Sequence, residues 1–93
     1  MELRIKEIII PDSVKILSSK VFYQCTNLTT VSLPANLKRI NASAFSHCSS
    51  LNNVVIPEHV TAIGDYAFSN CTSLVTISLP DSSDITWGNN MFS

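Results

Sequence analysis

The residues of this chain best equipped for chemistry are its three cysteines, two histidines and seven carboxylates. His47 directly precedes Cys48, and a thiol with a neighbouring imidazole is the pair that nucleophilic thiol catalysis needs. Cys25, Cys48 and Cys71 are three soft ligands, but they stand 23 residues apart. Zinc motifs instead bring cysteines within roughly two to four residues of one another. Glu58 and Asp81 also stand 23 apart, and two neighbouring carboxylates are the raw material of glycoside hydrolysis or calcium binding. A phosphate-cradling loop would require clustered glycines, whereas the two glycines, Gly64 and Gly88, are far apart.

The shared spacing matters more than any one of these groups. Pro11, Pro34, Pro57 and Pro80 are each 23 residues after the last, and Phe22, Phe45 and Phe68 keep the same interval. So do Val21, Ala44 and Ala67; Leu28, Leu51 and Leu74; Ile8, Val31, Val54 and Ile77; Ile10, Leu33, Ile56 and Leu79; Val14, Leu37 and Val60; and Leu17, Ile40 and Ile63. A fixed period of this size is the mark of a solenoid. After Pro80 the register slips by one, so that Trp87, Gly88, Met91 and Phe92 match Ile63, Gly64, Ala67 and Phe68.

Each unit reads as a closed circuit. In Thr30-Val31-Ser32-Leu33 apolar and polar residues alternate, which predicts a short strand with one face buried. Pro34 lacks an amide hydrogen and marks the strand's end. Leu37 and Ile40 then turn inward. Phe45 and Cys48 are three apart, which predicts a helical turn or short helix, with the small Ala44 where rungs approach closely. Strands repeated at this period stack in parallel, about 4.8 Å apart. One rung alone cannot offset its ordering entropy, so stability comes from its neighbours.

This frame re-reads the reactive groups. Cys48 falls in an inward column, whereas His47 shares an outward one with Gln24 and Asn70, so the two side chains diverge. The three thiols stack as a buried, reduced ladder, since parallel Cβ vectors do not converge into a disulfide. Glu58 and Asp81 sit on an exposed turn, and His59 is polar surface beside them. Trp87 is expected to fill the core of the last turn. No metal or cofactor site is expected, and no enzymatic activity.

The chain is apolar for its size: 45% of residues are hydrophobic and 14% charged. An interior that continues into further repeats would account for this. The chain starts almost within a strand and stops in mid-repeat, so it is expected to be a fragment of a longer array with uncapped ends open to end-to-end self-association. The net charge of −1 points to neither nucleic acid nor a membrane surface, and no apolar run reaches the length of a membrane span. All six basic residues lie within the first 39 positions, with Lys15, Lys38 and Arg39 on the turn-rich side. No signal peptide is visible. Three Asn-x-Ser/Thr sequons start at Asn27, Asn41 and Asn70 and matter only in a secretory pathway that glycosylates.

The residues that the period leaves free are the outward strand positions, which stacking assembles into one sheet face. One column is Glu7, Thr30, Asn53 and Thr76, and the other is Ile9, Ser32, Val55 and Ser78. Mostly uncharged and mildly apolar, they suit a protein or glycan ligand, not nucleic acid, which asks for a basic stripe.

The unit resembles the leucine-rich repeats of the BspA-like (treponemal) class, which run strand, Pro, x-x-Val, x-x-Ile-Gly, x-x-Ala-Phe, x-x-Cys, x-x-Leu. Val54 through Pro57, Val60, Ile63-Gly64, Ala67-Phe68, Cys71 and Leu74 match at every marked position. Val21 in place of Ala, Ser18 and Asn41 in place of Gly, and the shifted last turn depart from it. The resemblance implies an α/β fold: one right-handed solenoid domain over residues 1–93, with short parallel strands on its concave face and turns and short helical segments elsewhere. Its four repeats span about 5–27, 28–50, 51–73 and, in part, 74–93. It further implies protein binding or adhesion, through the concave face, by a surface or secreted protein.

Overall fold

A computed structural model describes residues 5–80 and 84–92 of the chain. Its elements are eight short strands: β1 (Glu7–Ile9), β2 (Ile16–Leu17), β3 (Thr30–Ser32), β4 (Arg39–Ile40), β5 (Asn53–Val55), β6 (Ala62–Ile63), β7 (Thr76–Ser78) and β8 (Thr86–Trp87). The odd-numbered strands form one parallel sheet in the order β1-β3-β5-β7, and the even-numbered strands a second in the order β2-β4-β6-β8. Each repeat supplies one strand to each sheet, so the chain winds as a β-solenoid.

The register is the one that the spacing predicts. Glu7 pairs with Thr30, Ile8 with Val31 and Ile9 with Ser32, and Asn53, Val54 and Val55 pair with Thr76, Ile77 and Ser78. Between β3 and β5 the pairing is reduced to Thr30 opposite Asn53. The one-residue slip also appears as expected, since Ala62 pairs with Thr86 and Ile63 with Trp87. Beyond β1, β3 and β5, the proline carbonyl closes a turn. Val14, Leu37 and Val60 donate their amides to Pro11, Pro34 and Pro57 at 3.0, 3.0 and 3.3 Å.

The expected short helices are absent, and with them the α/β class: no helix is found among the described residues, which form an all-β stack. The physical reason lies in where the amides point. In Lys20–Cys25, every second amide closes a local turn: Val21 to Ser18, Tyr23 to Lys20 and Cys25 to Phe22. The amides between them, of Lys20, Phe22 and Gln24, donate across to Ala42, Ala44 and Ser46 of the next rung. A helix would commit every amide to its own chain four residues back. Here half are spent on the neighbour, and the corner becomes a third inter-rung ladder. The alternation forces a left-handed backbone at two columns, Lys20, Ser43, Tyr66 and Asn90, and Gln24, His47 and Asn70, with φ from 55° to 63°.

The inward columns meet in one core. Leu37, Ala44, Phe45, Cys48, Leu51 and Ala67 have no exposed surface. The phenylalanines stack along the axis, Phe22 on Phe45 and Phe45 on Phe68, each at 5.4 Å between ring centroids, and Phe68 on Phe92 at 6.2 Å. A fully buried ring of this kind stabilises by about 1.5–3 kcal/mol, and the stacking adds about 0.5–1.5 kcal/mol more. Gly64 shows how closely the rungs approach, because a Cβ there would lie 2.5 Å from the backbone nitrogen of Ala42. Trp87 holds its inward register position but is 38% exposed on the outermost described rung, so it fills the core less than its column predicts.

Candidate binding face

The reactive groups are engaged in architecture. The Cys48 thiol donates to the Phe22 carbonyl at 3.1 Å and the Cys71 thiol to the Phe45 carbonyl at 3.1 Å. Each thiol thus satisfies a carbonyl of the preceding rung. Burial pushes the Cys48 thiol up to about 12, with further contributions from the neighbouring cysteines, and raises Cys25 and Cys71 in the same direction. A thiolate, the reactive form, is therefore disfavoured. His47 turns away from Cys48: its ring meets Tyr23 edge-on at 5.5 Å, and its Nε2 lies 3.4 Å from Asn70 Nδ2. All three cysteines are free thiols, and no cluster suited to a metal ion occurs among the described residues. Glu58 and His59 lie exposed on their turn, and Asp81 lies outside the described residues.

Many surface polar groups are also tied to the stack. Thr29 and Thr61 donate their hydroxyls to the carbonyls of Lys6 and Lys38, one rung back, at 3.0 and 3.4 Å. Thr72 does the same to Ser49 at 3.5 Å. Asp65 accepts the amide of Asn89 at 2.7 Å, and Tyr66 is bonded to Asn90 through its hydroxyl at 3.1 Å. Sequence reasoning missed these ladders. The 23-residue step between Thr29 and the carbonyl it caps was available as a signal only once the period was taken to hold for polar residues too.

The outward positions of the first sheet behave differently. Glu7, Ile9, Thr30, Ser32, Asn53, Val55, Thr76 and Ser78 are all exposed, as the alternation predicts, and lie in two adjacent columns across four strands. Ile9 is 80% and Val55 65% exposed. The side chains of Thr30, Ser32, Asn53, Thr76 and Ser78 form no hydrogen bond to any described residue. Val75, 80% exposed, adds a third aliphatic group just before β7. Apart from Glu7 at its edge, the face thus offers neutral donors and acceptors without partners among the described residues, interspersed with isolated aliphatic groups.

A model of the family described as BspA type leucine rich repeat region (6 copies) matches residues 1–93. The chain belongs to this family. It is also similar to the crystal structure of a leucine-rich repeat protein from Bacteroides ovatus, with 32% identity and a TM-score of 0.62 over 96% of this chain and 29% of that one. A leucine rich cell surface protein from Faecalibacterium prausnitzii aligns at 30% identity and a TM-score of 0.60, over 95% of this chain and 36% of that one. The BspA-type chain therefore spans about a third of the length of these structures. No curated protein matches it.

Proposed function

We propose that this BspA-type repeat segment is a non-catalytic binding module that recognises a protein, or the glycan on one, through the outward face of its first sheet. The observation that carries the reading is the set of polar side chains at Thr30, Ser32, Asn53, Thr76 and Ser78, exposed in register and without partners among the described residues. Neutral groups with a few aliphatic anchors favour hydrogen-bonded contact with an uncharged surface. The residues 1–93 act as one domain in this reading. The similarity to a leucine rich cell surface protein favours an adhesive role at a cell surface.

The test is to screen the chain on arrays of extracellular proteins and glycans, and then to measure Thr30→Glu, Asn53→Lys and Val55→Glu against the best binder. Each should weaken binding by at least about tenfold, the effect of losing an interface contact worth roughly 1.4 kcal/mol, with an unchanged melting temperature. Full affinity in all three would remove the face from consideration.

A second reading, a structural spacer or self-assembling segment of a longer surface repeat protein, is favoured by one observation. Columns buried in the middle of the stack are exposed on the last described rungs: Phe45 is fully buried but Phe92 is 55% exposed, and Ile56 is 2% but Leu79 46% exposed. A cavity lined by Phe68, Cys71, Leu74, Ile77 and Phe92 lies at that end.

A further inference from the structure

Half of the chain's six basic residues lie on two adjacent rungs where the second-sheet strands β2 and β4 begin. Leu37 and Ile40 are both buried, so the two residues between them, Lys38 and Arg39, both face outward. The parallel register sets Ile16 opposite Arg39. The Lys15 carbonyl accepts both the Lys38 amide at 2.7 Å and the Arg39 amide at 3.3 Å, which brings exposed Lys15 directly beside them, one rung away. Among the described residues none of the three is ion-paired, and the nearest turn acids in sequence, Asp12 and Glu58, do not pair with them. On the following rung the same columns carry Thr61 and Ala62, so the cluster ends there.

Three like charges on adjacent rungs repel, and none of the described carboxylates pairs with them. We infer that Lys15, Lys38 and Arg39 form a binding site for one tetrahedral oxyanion of the sulfate or phosphate class, either free or as an ester on a saccharide. The reasoning is chemical. Arg39 supplies a planar fork that can engage two oxygens at once, and the two flexible ammonium groups can close on the others. The patch is two rungs wide, which suits a single compact dianion. A long polyanion would extend beyond it over Thr61, Ala62 and the acidic later repeats.

The site is distinct from the first-sheet face, so the two readings can fail separately. Amide chemical shifts of the 93-residue chain would be followed during titration with inorganic sulfate, inorganic phosphate and, in a separate arm, a monosaccharide carrying a single sulfate or phosphate ester. Saturable shifts centred on Lys15, Ile16, Lys38 and Arg39 are expected. Tighter binding of the esterified monosaccharide would assign the site to an ester on a saccharide, and equal or weaker binding would assign it to the free ion. The K15Q/K38Q/R39Q variant should lose at least tenfold with its spectrum otherwise intact, and K6Q/K20Q should keep wild-type affinity. Equal losses in both variants, or shifts spread evenly over Lys6 and Lys20, would reduce the effect to general charge attraction and overturn the site.

Discussion

The three cysteines, the first suspects for chemistry, show how a residue's column decides its role. A thiol stacked on the rung before it finds a carbonyl to bond and no water to stabilise its anion. The folded chain therefore holds the Cys48 proton up to about 12, against an ordinary 9.0. In the unfolded chain that proton is lost from about pH 9 upward, where the native thiol still binds it. Stability from this group is full below pH 9 and falls as pH rises toward 12. Urea unfolding at about pH 8 and pH 10.5 should show this loss. Cys48→Ser keeps a donor but does not titrate in that range, so it should flatten the decline, and an unchanged slope would contradict the account. None of this required the structure to place the cysteines, because their 23-residue spacing and apolar neighbours already marked an inward column. What spacing could not supply was the bond to the carbonyl behind, which depends on how far one rung is offset from the next.

Among the elements, the first-sheet strands were legible and the other two sides of the circuit were not. Thr30-Val31-Ser32-Leu33 alternates over four residues and so declares its buried face. Each second-sheet strand has two residues, of which β2, β4 and β6 bury one, too short for any alternation to register. The corner carries the spacing of a helix in Ala44, Phe45 and Cys48, and its left-handed positions hold Lys20, Gln24, Ser43, His47 and Tyr66. None of these is the glycine that normally announces such a backbone. Asn70 and Asn90 were the available hints, since asparagine tolerates the left-handed region best among the others. The corner thus carries a removable cost. Ser43→Gly, at φ 59°, should stabilise the chain by about 1 kcal/mol, which for a domain of this size raises the melting temperature by about 4–8 °C. A fall in melting temperature would mean that the Ser43 side chain contributes more than its backbone strain removes.

For the whole stack, the decisive quantity is what covers the apolar columns exposed around Phe92 and Leu79. If the exposed columns around Phe92 and Leu79 take up the first rung of another copy, the contact is head-to-tail and does not close, so association grows into filaments. Sedimentation velocity across a hundredfold range of concentration should then show a rising weight-average mass. Phe92→Asp should hold the chain monomeric. A wild-type monomer across the range would remove self-assembly. The family membership fits either outcome, because a solenoid's stability is a sum of rung and neighbour terms whether the neighbour is covalent or not.

The inter-rung bonds from Lys20, Phe22 and Gln24 to the next rung, and those of both sheets, all run along the direction in which the rungs stack. A force applied to the two ends of the chain therefore pulls each bond along its own length and meets the rungs one after another, as in a zip, not all together in shear. Extension in a single-molecule trap should proceed at low force in steps, each releasing one repeat of 23 residues, or about 75 Å of chain. A segment of this build placed between a surface and a tethered load would lengthen gradually under tension and would spare the rungs still stacked behind it.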